Sequence, residues 1–236
     1  MSKLTTRVRT RMRQFVAARR PKRRILDDFH KLYYDLGPQT WGNTQWLGTS
    51  TLKCPFDLWT YQEILYEVKP DLIVETGTWV GGSALFLATM CDLMNRGRIV
   101  TIDITENAGR SQHQRITYLL GSSTSPEIVH RVRSMIGKDD RVMVILDSDH
   151  RKDHVLRELE LYSDMVTPGS YVIVEDSNVN GHPVHPSFGL GPMEALREFM
   201  SKDRRFETDR SRQKFLLTFN PDGYLRKIGD ALPTTG

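Results

Sequence analysis

Leu72-Ile73-Val74-Glu75-Thr76-Gly77-Thr78-Trp79-Val80-Gly81-Gly82-Ser83 is a short apolar run that enters a glycine-rich turn and leaves it as the start of a helix. Glycines at such a turn let backbone approach a ligand closely, and the helix amino end adds a favourable dipole. Gly77, Gly81 and Gly82 do not fall at the one-three-six spacing of a dinucleotide fingerprint, and no Lys-Ser/Thr pair closes the turn as in a nucleotide P-loop. A tight turn with no ligand is the plain alternative.

Working outward, the run is one of four. Residues 72–75, 98–104, 142–146 and 171–174 are short and rich in branched aliphatics, and helix-like segments at 83–94, 126–136 and 155–165 separate them. Strands alternating with helices predict an α/β fold, a parallel sheet covered on both faces. Upstream, Phe56, Leu58, Tyr61, Ile64, Leu65 and Val68 follow helical spacing and stop at Lys69 and Pro70. Before that helix, residues 25–55 read as a helix followed by an aromatic-rich loop. Downstream, a loop at 178–192 rich in Gly, Pro and His precedes a helix at 193–201 and two closing strands at 206–210 and 214–220. Domains are expected at 1–55, a basic helical extension, and 56–236, the catalytic body.

Three places carry chemistry. Asp103 ends the second strand, where an α/β nucleoside site places its acceptor for ribose hydroxyls, although a helix cap is equally consistent. Ser122 and Ser123, after Gly121, stand where small side chains would cover the base. Asp147-Ser148-Asp149-His150 closes one strand and Glu175-Asp176-Ser177-Asn178 the next, so both acid clusters reach the same sheet edge. Converging carboxylates repel unless a cation or protons neutralise them, and an all-oxygen set suits Mg²⁺, Mn²⁺ or Ca²⁺ rather than zinc. Capping of the following helices accounts for Asp147 or Asp149 singly, not for Glu175 and Asp176 as well. His150 is placed for a general base. Lys53 is expected to balance the acids or grip substrate, and His182 and His185, flanking Pro183, to hold substrate; solvated loop histidines are the alternative.

At these motifs the chain resembles the class I S-adenosylmethionine-dependent methyltransferases and, within them, the cephalosporin hydroxylase/rhamnosyl O-methyltransferase family. The resemblance runs from about residue 33 to 219 and rests on Lys53-Cys54-Pro55-Phe56-Asp57-Leu58, Val74-Glu75-Thr76-Gly77-Thr78, Gly81-Gly82-Ser83-Ala84, Asp147-Ser148-Asp149-His150 and Val174-Glu175-Asp176-Ser177-Asn178. It implies a Rossmann-like, mostly parallel seven-stranded sheet with an antiparallel last strand. It implies S-adenosyl-L-methionine over Glu75, Gly77, Thr78, Gly81, Ser83 and Asp103, and Mg²⁺ held by Asp147 or Asp149 with Glu175 and Asp176, Asp147 first. It also implies a saccharide hydroxyl as acceptor and a homo-oligomer. The hydroxylase part of the family name is set aside, since no two-histidine, one-carboxylate iron triad is readable. A catechol-type O-methyltransferase would share cofactor and metal.

Bulk properties bound these readings. The first 24 residues carry ten Lys and Arg and no acid, leaving 23 bases against 29 acids, a body of net −6. Leu4, Val8, Met12 and Phe15 would form an apolar stripe on a basic helix, which suits an arm or oligomer contact, a peripheral membrane contact, or a targeting presequence. A non-enzymatic module binding membrane or polyanion through this arm is the reading from another class. Nucleic acid is disfavoured by the acidic body and the lack of interleaved aromatics. No secretory apolar region is present, and two unpaired cysteines fit a cytoplasmic protein.

Overall fold

The computed structural model describes residues 22–229. Six α-helices are present among them: α1 Lys22–Asp35, α2 Pro55–Val68, α3 Gly82–Leu93, α4 Pro126–Ser134, α5 Lys152–Tyr162 and α6 Pro192–Lys202. The main sheet has seven strands: β1 Leu72–Thr76, β2 Arg98–Asp103, β3 Ile116–Leu120, β4 Val142–Leu146, β5 Tyr171–Val174, β6 Phe206–Thr208 and β7 Tyr224–Lys227. They lie in the order β3-β2-β1-β4-β5-β7-β6. The first five run parallel, and β7 is antiparallel to both neighbours. This is the Rossmann-like arrangement expected from sequence, with an N-terminal helix added.

The strand sequences read as continuous apolar runs because both faces are covered. Successive side chains alternate between two cores. Val74, Val100, Val144 and Val172 face α4, α5 and α6 through Val132, Leu159 and Phe199. Ile73, Ile99, Met143 and Ile173 face α2 and α3 through Ile64, Leu65 and Leu87. Each such aliphatic, fully withdrawn from water, contributes roughly 1.5–3 kcal/mol. Helix boundaries follow local chemistry: Pro55 opens α2, Lys69 closes it in a left-handed turn, and the Ser125 side chain accepts the Ile128 N–H at the start of α4.

Register places the site. Thr76 pairs with Ile102 and with Leu146, and Leu146 with Val174. The residues that follow, Gly77, Asp103, Asp147 and Glu175, therefore leave the sheet at one edge.

Two expectations need correction. β3 was not anticipated as a strand; it is an edge strand in which only Leu119 is buried, its other side chains being half-buried or exposed. Residues 214–220 are not a strand. Leu217 and Phe219 instead form a third small core with Cys54, packed by Tyr33, Tyr34 and Trp41 from the N-terminal extension. The last strand begins only after Gly223, where an added Cβ would lie 2.3 Å from the Val174 carbonyl oxygen. No described helix is long and apolar enough to cross a membrane. The stripe of Leu4, Val8, Met12 and Phe15 lies outside the described residues.

Candidate active site

A cleft of about 630 Å³ opens at the carboxyl edge, lined by Gly77, Thr78, Ser83, Asp103, Ser122, Ser123, Asp147, His150 and Asp176, with Trp41, Thr51 and Leu52 from the extension. Its volume falls in the roughly 300–1,000 Å³ range of small-molecule sites. Two glycines of the turn are there for protein packing. An added Cβ at Gly77, where φ is +84°, would stand 1.8 Å from the Asp147 carbonyl oxygen, and one at Gly82 would stand 2.1 Å from that of Ser50. They seat the turn against its neighbours, and both also line the cleft, so this packing stands beside the ligand approach expected of them.

This end of the cleft is tied mostly by hydroxyls and backbone amides around two carboxylates, Glu75 and Asp103. The Thr78 and Thr101 hydroxyls are 2.7 Å apart, and Thr101 donates to Glu75 Oε2 at 2.7 Å. Glu75 is fully buried, and burial pushes its carboxyl up to about 7 against hydrogen bonds from Ser83 and Thr101. Asp103 accepts the Trp79 N–H at 2.6 Å and the Thr105 N–H at 2.8 Å, with Arg110 3.3 Å away. It thus stitches the β1 turn to the β2 exit while lining the cleft. Ser123 Oγ and Ser148 Oγ lie 3.2 and 3.1 Å from His154 Nε2, and Ser148 donates to the buried Glu158 at 2.7 Å. His154 and Glu158 went unnoticed in the sequence; their only signal is an i, i+4 spacing on α5.

The other end is ionic. Asp147 at the exit of β4 and Glu175-Asp176 at the exit of β5 converge. Lys53 Nζ, buried, lies 2.5 Å from Asp147 Oδ2 and 2.6 Å from Glu175 Oε1. The Tyr61 hydroxyl donates to the same Glu175 oxygen. Asn220 donates to the Tyr61 oxygen at 3.1 Å, and its carbonyl accepts the Asp176 N–H at 3.0 Å. Asp176 sits at φ 53°, a left-handed conformation that this clamp helps to hold. His150 Nε2 stands 3.3 Å from Asp147 Oδ1 and 3.2 Å from Asp176 Oδ2.

Asp147, His150 and Asp176 each present a ligand atom within 4.8 Å of the others. Asp149 stands outside this trio, its Oδ1 accepting the Arg151 N–H at 2.9 Å. Glu175 also stands outside it, turned to Lys53 and Tyr61. Burial pushes the Glu175 and Asp176 carboxyls above their ordinary range. For Asp147, burial is outweighed by Lys53 and His150, which hold it below. For His150, burial is outweighed by Asp176 and Asp147, which raise it to about 9.

Lys53 thus neutralises acids from beneath the cleft and does not line it. His182 and His185 do not line it either. His182 bonds Glu194 at 2.8 Å, the residue whose other oxygen accepts the Gly191 N–H at the start of α6, and His185 is exposed with its ring against Phe188. Tyr61 and Asn220 were missed as site residues, Tyr61 because its place in the apolar stripe of α2 explains it as core.

The family model described as Rhamnosyl O-methyltransferase/CmcI matches residues 38–228. A rhamnosyl O-methyltransferase of Mycobacterium leprae is 39% identical over 217 residues, covering 87% of this chain and 92% of the relative. One of Mycobacterium bovis is 36% identical over 214 residues, covering 87% and 86%. Among solved structures, apo CmcI superposes with a TM-score of 0.61 at 23% identity, over 79% of this chain and 76% of that one. MycE methyltransferase from the mycinamycin biosynthetic pathway, in complex with Mg, SAH and mycinamycin VI, superposes at 0.54 and 18% identity, over 74% of this chain and 51% of that one. These structures share the fold; the sequence relatives and the family model carry the assignment. The chain belongs to the rhamnosyl O-methyltransferase/CmcI family and is an S-adenosylmethionine-dependent O-methyltransferase.

Proposed function

We propose that this enzyme methylates a hydroxyl of a saccharide and that a divalent cation, Mg²⁺ by the hardness of its donors, takes part. The observation that carries the metal reading is the convergence of Asp147, His150 and Asp176 beside the cleft. Two carboxylates on separate strand ends offer the oxygen donors a hard cation prefers. Asp147 and Asp176 would hold it, with Glu175 kept by Lys53 as the carboxylate behind them. Bound there, the cation would lower the pKa of a substrate hydroxyl. S-adenosylmethionine, whose sulfonium methyl is already activated, would lie along Gly77, Thr78, Gly81 and Ser83, with its ribose at Asp103 and its base by Ser122 and Ser123.

The chain's own residues then do the following. Asp103 keeps the turn and the β2 exit in fixed relation, so a cofactor held there is aligned without reorganisation. His150 accepts the hydroxyl proton at Nε2 once its two carboxylate partners are otherwise neutralised; until then they keep it protonated. Lys53, Tyr61 and Asn220 hold the acids in place. The saccharide reading is supported by the named activity of the sequence relatives.

The test is transfer of labelled methyl from S-adenosylmethionine to a rhamnosyl glycoside, with and without EDTA. Transfer that stops with EDTA and returns with Mg²⁺ is expected. An undiminished rate in EDTA would remove the metal, and methylation of catechol but of no glycoside would remove the saccharide.

A further inference from the structure

Helix α1 meets the body with one face only. His30 stacks on Phe219 at 5.7 Å and bonds Asn178 at 3.0 Å, and Tyr33 and Tyr34 pack edge-on to Phe219. The opposite face is apolar and open. Ile25, Phe29, Leu32 and Leu36 are 53%, 50%, 56% and 38% exposed. Their spacing of four, three and four places them in one narrow stripe along the helix and its first following residue. Four large apolar side chains in so short a segment are not the scattered exposure ordinary surfaces show.

Charge indicates what covers them. Lys22, Arg23 and Arg24 open the helix, and seven further bases with no acid stand in the segment before it, while the rest of the chain is net −6. A cationic run leading into an apolar stripe is the composition of a helix that lies in a membrane interface, and the acidic body would be turned away from the same surface.

We propose that the open face of α1, which begins with Lys22, Arg23 and Arg24, is a docking surface for an anionic lipid bilayer. This is independent of the saccharide and metal readings. The surface also adjoins the cleft: the Trp41 indole N–H donates to the Tyr34 carbonyl at 3.1 Å, its ring stacks on Tyr34, and Trp41 lines the cleft wall.

The full chain should sediment with phosphatidylcholine vesicles that contain phosphatidylserine, far less with phosphatidylcholine alone, and be released by high salt. The double variant Ile25→Ser, Leu32→Ser should bind about tenfold or more weakly, with its melting temperature and cofactor binding unchanged, since both side chains are more than half exposed. A wild-type chain that stays in the supernatant overturns the proposal. So does a variant that binds as well as wild type, because the basic segment would then act alone. Sedimentation velocity supplies a further check: a wild-type dimer that becomes a monomer in the variant, without vesicle binding, would assign the stripe to a second copy.

Discussion

The two ends of the cleft are built differently. At the β1–β2 end, Thr78 bonds Thr101, Thr101 bonds one oxygen of Glu75, and Asp103 accepts the Trp79 and Thr105 amides, all within a short span of chain. At the β4–β5 end, Asp147 and Glu175 depend on Lys53, 94 and 122 residues away, and Glu175 on Tyr61, 114 residues away. The first end is a local motif, held by hydroxyls, backbone amides and the single Asp103–Arg110 ion pair. The second is a charge cluster that long-range partners must hold together, so its integrity is a property of the whole fold.

The largest expected effect follows from removing the shared cation. Lys53→Met strips part-buried Asp147 and buried Glu175 of their shared ammonium, leaving His150 beside the first and the Tyr61 hydroxyl on the second, and breaking such a buried pair costs up to about 3–5 kcal/mol. Denaturant unfolding should show that loss, and added Mg²⁺ should restore part of it. A variant as stable as wild type would mean the two acids are already neutral without Lys53, and the contrast between the two ends would collapse.

Next is His30, which supports Asn178 just beyond the acid pair. Burial lowers His30 to about 4 from the ordinary 6.5, against the opposing pull of Asp27. Between those values the unfolded chain binds a proton that the folded chain does not. Its contribution is therefore complete above about 6.5 and is lost as pH falls toward 4, a total of about 3 kcal/mol. In His30→Gln that part of the pH dependence should disappear, read by urea unfolding at pH 7 and pH 5. An unchanged slope would show that His30 is not buried neutral.

A smaller effect separates the ends more finely. Tyr61→Phe removes one hydrogen bond to Glu175 and should cost about 1–3 kcal/mol of stability. It should raise the Mg²⁺ concentration needed for half-maximal rate while leaving S-adenosylmethionine binding as it was. Equal loss at both would show that the two ends are one cooperative unit.

The same contrast explains what was legible in the sequence. Strands β1, β2, β4 and β5 are visible because burial on both faces makes them continuous apolar runs, and parallel register then carries Asp103, Asp147 and Glu175-Asp176 to one edge. Edge strand β3 has no such signal. Residues 214–220 mimic a strand because Leu217 and Phe219 are apolar for another purpose, the small core under α1. Turn glycines identify the motif, yet the sequence cannot separate room for a ligand from room for the Asp147 carbonyl, since both forbid a Cβ. Asp147, His150 and Asp176 could be named from strand ends alone. Their long-range clamp, Tyr61 and Asn220, could not, because a tyrosine in an apolar helical stripe and an asparagine before a turn have sufficient local explanations.

The central claim is that two acidic strand ends share one cation. Isothermal titration of Mg²⁺ into wild type, Asp176→Asn and Asp149→Asn, each loaded with S-adenosylhomocysteine, tests it most directly. One site per chain in wild type and Asp149→Asn, lost or greatly weakened in Asp176→Asn, is the predicted result. No binding in wild type, or equal binding in Asp176→Asn, would contradict it.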